Sequence, residues 1–397
     1  METEDQVVLK SKPNVPEDEK KKIKKSNYSI FYSKFSNFIN FELNSYSHYL
    51  YPFIAVLIVF AILFFIFSKS NNNKTDGTRV NANIREIEDS LEFDLNKLEK
   101  CKKEQNDFCD DIEKNKIKEY EEQIQLTDIS LLSRVFNMYV YKSDDEMSNE
   151  IMTLKNFNGE KTGDLLTALL FYSTIKKINA SQIYFLDIGS KIGWYSMIIA
   201  KFGYKVLSFE PSEINNYILK KNYCLNREFN LTLIKKGLYT EERKCDYYLN
   251  SKSKSSGKVF CDVKQNLPSD LIKSGESTLT RLSNYLNFLS NQNLALVKIS
   301  VEGLEEKAIL GGIELITNYH VPYIYLEFNP ESLREHGTDP AKFLKIFIRN
   351  KYRFPFYNFF DDEFLSIDEI MTKAKRHNGK INIYIAHSRM IRKYQNS

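Results

Sequence analysis

From about Gln182 onward, short apolar runs alternate with longer segments that are apolar on one side only. The runs IYFLDI, KVLSFE, LTLIKK, ALVKIS and YIYLEF read as buried strands, with helices such as WYSMIIAKF and EEKAILGGIELI between them. Alternation of this kind predicts an α/β domain built on a mostly parallel sheet with helices on both faces. Near the C-terminus, YRFPFYNFF and INIYIAH predict an antiparallel pair at the sheet edge, with His377, Asn378 and Gly379 as turn residues between them.

A different pattern governs the N-terminal region. Residues 49–68 are almost wholly apolar and uncharged up to the final lysine-containing flank, with Tyr49 and Tyr51 at one end. At 1.5 Å per residue such a segment reaches roughly the 30 Å of a bilayer's hydrocarbon core, which predicts one transmembrane helix. It begins too far from Met1 for a cleaved signal peptide. Residues 1–48 include the charged stretch SKPNVPEDEKKKIKK, which buries too little apolar surface to fold alone and is expected to be a disordered cytoplasmic tail. Its lysine cluster predicts a single-pass type II topology with the C-terminal domain in the secretory lumen, endoplasmic reticulum or Golgi. Residues 69–150 read as a polar linker and a helical stem, with Ile84, Ile87, Leu91, Leu95 and Leu98 at helical spacing. Residues 151–397 remain for the α/β domain.

Charge and cysteine content narrow the picture. A formal net charge of +4 over 397 residues gives no concentrated basic face, which argues against a nucleic-acid partner. The five cysteines all follow the apolar run and lack the paired spacing of a zinc site, so no metal is expected. In an oxidising lumen, Cys101 with Cys109, or Cys245 with Cys261, would form disulfides, and the odd total leaves a free thiol. Buried free thiols are the alternative. Sequons at Asn73, Asn179 and Asn230 agree weakly with a luminal domain.

The candidate chemistry starts in DIGSKIGWYS, where Asp187 ends a strand, Gly189 and Gly193 occupy the turn, and a helix follows. At the carboxyl end of a parallel strand, such a turn brings backbone donors and a helix N-terminus to a nucleotide. Glu210 ends the next strand, where a carboxylate can accept both ribose hydroxyls. A dinucleotide fingerprint needs glycine where this chain has Lys191, so a dehydrogenase is the minor reading. His320 and His336 have no nucleophilic serine or cysteine elbow to serve and read as loop residues, and Trp194 and Tyr195 read as core.

Taken in order, DIGSKIGWYS, FEPS with NNYILKKNYCLN, LVKISVEGLEEKAILGG and YIYLEF resemble the FkbM family of methyltransferases. The resemblance spans about Ser181 to Phe328. It implies a class I, Rossmann-like methyltransferase fold, S-adenosylmethionine as cofactor, and methyl transfer, usually to oxygen. Carried over residue by residue, it assigns cofactor contact to Asp187, Gly189, Gly193 and Glu210, and places Glu302, Gly303 and Glu305 in a VEG segment near the active face. The chain departs from the family at Ser300 and Thr280, where aspartates are usual. A hydroxyl has no useful proton affinity near neutral pH, so Glu302 and Glu327 become the candidate catalytic carboxylates. The expected acceptor is a small-molecule, glycan or lipid hydroxyl. The alternative is a noncatalytic binding or scaffold protein that keeps the fold.

Overall fold

In the computed structural model, the residues described are 95–262, 267–290, 292–377 and 379–395. The predicted tail at 1–48, the membrane span at 49–68 and the linker up to residue 94 lie outside them. Among the described residues no helix is long and apolar enough to cross a membrane.

The five predicted apolar runs form five parallel strands. They are β3 (Ile183–Ile188), β4 (Lys205–Phe209), β5 (Leu231–Ile234), β10 (Asn293–Ile299) and β11 (Tyr323–Phe328). They build most of a seven-stranded sheet, in which β12 (Tyr352–Arg353) and β13 (Ile381–His387) complete the order β12-β13-β11-β10-β3-β4-β5. Strand β13 lies antiparallel between β11 and β12. The predicted edge pair therefore exists, but only Tyr352 and Arg353 of YRFPFYNFF take part, and the helix Ile367–Arg376 fills much of the connection.

These runs are apolar throughout because both faces of the sheet are covered. Successive side chains alternate between two cores: Phe185, Leu296, Tyr323 and Tyr325 pack on one side, and Leu186, Ile188, Val297, Ile324 and Leu326 on the other. The chain runs outward from β3 to β4 and β5, then returns to β10 on the other side of β3. This is a doubly wound, Rossmann-like arrangement. Its strand order reverses at β3, and a crevice opens there at the carboxyl ends of the strands.

Two further sheets escape the sequence pattern. Strands β1 (Ile124–Leu131) and β2 (Arg134–Tyr141) form a hairpin that closes on Leu132 and Ser133, both with positive φ. Strands β6 (Gly237–Leu238), β7 (Arg243–Asn250), β8 (Ser253–Phe260) and β9 (Leu271–Thr280) form a four-stranded sheet in the order β6-β9-β7-β8. It has its own small core, in which Cys245, Tyr247, Val259 and Leu279 meet Leu304 from the loop after β10.

Residues 95–150 belong to the same compact unit as the rest of the described chain. Helical residues 95–110 bury Leu98. From that helix the Gln105 side chain donates to Leu231 O at 3.1 Å and accepts from Leu233 N at 3.1 Å. It thereby supplies the missing peptide partner at the β5 edge of the sheet. A disulfide joins Cys109 to Cys224 on the helix Glu213–Leu225, and a second joins Cys245 to Cys261. The second pairing matches expectation. The first corrects the proposed Cys101–Cys109 bridge, because Cys109 faces across to another helix and leaves Cys101 as the free thiol.

Candidate active site

The turn after β3 is shaped by close backbone approach. Gly189 has φ +77°, and a Cβ placed there would stand 1.9 Å from Ser300 O. Gly189 N and Ser190 N donate to Phe209 O at 2.9 and 3.1 Å, tying the ends of β3 and β4 together. Gly193 takes the N-cap position of the helix Trp194–Lys201.

Beneath this turn, Asp187 is fully buried. Its carboxylate lies 3.1 Å from Lys298 Nζ and accepts from Ser196 Oγ at 2.7 Å. Lys298 also donates to Gly189 O at 2.6 Å. A lysine inside the otherwise apolar run ALVKIS is thus explained by a buried ion pair that braces the turn. The structure gives Asp187 this anchoring place and keeps it, with Gly193, off the cleft wall.

The cleft is lined by Gly189, Lys191, Glu210, Ser300 and Glu302 from the parallel sheet, and by Tyr247, Ser255, Gly257 and Val259 from the four-stranded sheet. Glu210 is buried at the end of β4. One of its oxygens accepts from Lys191 N at 2.8 Å, the other from Ser212 N at 2.9 Å. Burial pushes its carboxyl above the usual range, while those backbone amides oppose the shift. A carboxylate offers about four acceptor positions, so the held group keeps capacity for a ligand hydroxyl.

Across the cleft, Glu302 has φ +52°, an uncommon backbone state for a residue with a side chain. Its Oε1 lies 3.2 Å from Lys191 Nζ and 3.6 Å from Lys380 Nζ. Lys380 also reaches Glu327 Oε2 at 2.8 Å, and Ser300 Oγ donates to the same oxygen at 2.7 Å. Burial alone would raise both carboxyls, but the neighbouring Lys191 and Lys380 hold Glu302 below its ordinary value and Glu327 well below. Burial likewise opposes the charge on Lys380, and the two glutamates overcome it and raise that ammonium.

Glu305 behaves differently. Burial pushes its carboxyl up to about 7, although it accepts from Val301 N at 3.2 Å and Gly303 N at 3.1 Å. It is the buttress of the VEG turn. Thr280 bonds Glu242 Oε1 at 3.0 Å and does not line the cleft, whereas Ser300 does. His336 stacks on Phe260, with ring centroids 4.9 Å apart, and His320 Nδ1 contacts Ile316 O at 2.8 Å.

Of the residues singled out in the sequence, Gly189, Glu210 and Glu302 meet at the cleft and Glu327 joins Glu302 through Lys380, whereas three lysines of this array were not singled out. The charged residue within ALVKIS signalled Lys298. Lys191 stood in the turn itself. Lys380 had a subtler signal: pairing INIYIAH with YIYLEF, rather than with YRFPFYNFF alone, sets Phe328 opposite Ile381 and brings Lys380 to the end of β11.

The span from β3 to just beyond β12 matches a known family model. Residues 187–354 match the methyltransferase FkbM domain. The FkbM domain so defined contains the glycine turn, Glu210, the VEG segment and Glu327; Lys380 lies beyond it. No curated protein matches the chain. Among solved structures, the METTL16 methyltransferase domain is 12% identical, with 68% of this chain and 88% of that chain covered and a TM-score of 0.33. An O-methyltransferase from Bacillus cereus in complex with SAH is 10% identical, covers 56% and 80%, and has a TM-score of 0.27. The bifunctional kinase-methyltransferase WbdD is 11% identical at a TM-score of 0.26, covering 43% of this chain and only 29% of its own.

Proposed function

We propose that the protein transfers a methyl group from S-adenosylmethionine to a hydroxyl of a glycan, lipid or small molecule, and that residues 49–68 anchor it in a membrane. The observation that carries this reading is the cleft at the strand-order reversal, where the glycine turn and the anchored Glu210 face apolar walls. The donor set fits the cofactor: a carboxylate for ribose hydroxyls, Phe209, Pro211, Leu238 and Leu279 as an apolar slot for a base, and mixed charge beyond it.

When bound, S-adenosylmethionine supplies an electrophilic methyl on a sulfonium. The chain's own part is then chiefly positioning, which can account for much of the acceleration. Glu210 holds the ribose, and Glu302 presents an ionised carboxylate on the cleft wall. Lys191 and Lys380 keep Glu302 ionised at neutral pH. Glu327, drawn between Ser300 and Lys380, orients this array.

A luminal placement is supported by the two disulfides and by the exposure of Asn179 and Asn230. The pinning of Glu327 by Lys380 and Ser300, where the family carries an aspartate, favours a noncatalytic binder as the second reading.

Calorimetry on the full chain in detergent separates the readings. We expect S-adenosylmethionine to bind and Glu210→Ala to weaken it by about 10- to 100-fold, the worth of one or two charge-assisted hydrogen bonds. Absence of binding by the unaltered chain would remove the methyl-donor reading, and binding of NAD instead would revive the dehydrogenase.

A further inference from the structure

Among the described residues lining the cleft, Lys191 alone carries a positive charge, while Glu210 and Glu302 carry negative ones. Its position is strongly determined. The residue sits in the glycine turn with φ +54°, and its N–H is fastened to Glu210 Oε2 at 2.8 Å. Its side chain is 12% exposed, with Nζ 3.2 Å from Glu302 Oε1 and 3.0 Å from Ser256 Oγ on β8. A lysine ammonium has three protons to donate, so these two partners leave one.

We infer that the Lys191–Glu302 ion pair is the recognition site for the amino-acid end of the cofactor, with Lys191 taking the α-carboxylate and Glu302 the α-ammonium. This rests on the methyl-donor reading above. An amino-acid zwitterion presents one anion and one cation a few ångströms apart, and the cleft presents the opposite pair at 3.2 Å. Glu210 is committed to backbone amides at the far end of the turn and to the ribose. Lys298 is spent on Asp187 and Gly189 O beneath the turn. Lys191 is therefore the cation that a carboxylate entering this cleft meets. The strained backbone at both Lys191 and Glu302 fits a pair held in place for a ligand.

The assignment makes Lys191 a specificity residue for the carboxylate, and removing that carboxylate from the ligand tests it without any knowledge of the methyl acceptor. Calorimetry on the full chain in detergent would compare S-adenosylmethionine with its decarboxylated form, which keeps the sulfonium and the ammonium. We expect the unaltered chain to prefer S-adenosylmethionine by about tenfold or more, the usual scale of a charge-assisted hydrogen bond. Lys191→Met should erase that preference by weakening S-adenosylmethionine alone, and losing a cation should leave binding of the more cationic decarboxylated form unchanged or stronger. Lys191→Arg should keep most of the preference. Retained binding of the decarboxylated form shows that the variant is folded. Equal weakening of both ligands by Lys191→Met, or weakening of neither, overturns the assignment while the methyl-donor reading stands. If the unaltered chain binds neither ligand, both fall together.

Discussion

The cleft is walled by two sheets of opposite character. On one side, the seven-stranded sheet is buried on both faces, and residues such as Phe185, Leu186, Ile188 and Ile299 have no exposed surface. On the other, β9 of the four-stranded sheet exposes most of its length, and the small core beneath is pinned by one disulfide. A wall that is packed on both sides transmits any change of volume, while a wall with a wet face absorbs it. The parallel sheet should therefore hold the turn and Glu210 rigidly, and the four-stranded sheet should be the part that yields when a ligand enters.

The same substitution placed in each wall exposes the difference. Gly189→Ala puts a methyl 1.9 Å from Ser300 O at a positive φ. Strain and overpacking together predict a loss of about 5 kcal/mol. Gly275 on β9 also has an unusual φ, +148°, but a Cβ there meets nothing within 4 Å. Gly275→Ala should then cost about 1–3 kcal/mol, from backbone strain alone. Thermal unfolding of the two variants measures the contrast, and equal losses would mean that the walls are equally stiff.

The disulfides offer the next contrast. Cys109–Cys224 closes a sequence separation of 115 residues and Cys245–Cys261 one of 16. On the chain-entropy account the first is worth roughly 4–5 kcal/mol and the second about 3. Replacing each pair by serines should lower the unfolding temperature more for the first. The second should instead loosen the four-stranded wall locally, read as faster hydrogen exchange in β7 and β8. A larger loss of global stability from the shorter loop would reverse the assignment of rigid and yielding walls.

This asymmetry also decided what the sequence disclosed. The runs IYFLDI and YIYLEF coincide with β3 and β11 residue for residue, because strands covered on both faces are apolar without interruption. Strands β7 to β9 read RKCDYYLN, SKSSGKVF and LIKSGESTLT, with too few buried positions for any period to stand out. The hairpin of β1 and β2 turns on Leu132 and Ser133, which carry none of the usual turn chemistry for positive φ. Within the site, the places of Gly189 and Glu210 were legible since each is local to one turn or one strand end. Lys380 was not, because it reaches Glu327 only through the register of β13 on β11. The pairing of Asp187 with Lys298 was equally hidden, because the two lie more than a hundred residues apart.

The smallest expected effect lies at the joint between the walls, the loop from Val301 to Leu304. Leu304 packs into the small core of the four-stranded sheet, and Glu305 fastens the loop to the parallel sheet through Val301 N and Gly303 N. Burial raises the Glu305 carboxyl from 4.5 to about 7. Between those values the folded chain keeps a proton that the unfolded chain releases, so stability falls as pH rises through this window and levels off above it. The full shift corresponds to at most about 3 kcal/mol, and water reaching the loop reduces it. Glu302 and Glu327, held low by lysines, contribute in the opposite sense, and their stabilisation is lost only as pH falls below the ordinary carboxylate range. The two classes therefore titrate in separate windows. Glu305→Gln should flatten the decline between about pH 4.5 and 7 and make the variant the more stable chain at pH 8, as measured by unfolding temperature across that range. An unchanged slope would show that the loop already admits water, and the yielding wall would then extend across the joint to the floor of the cleft.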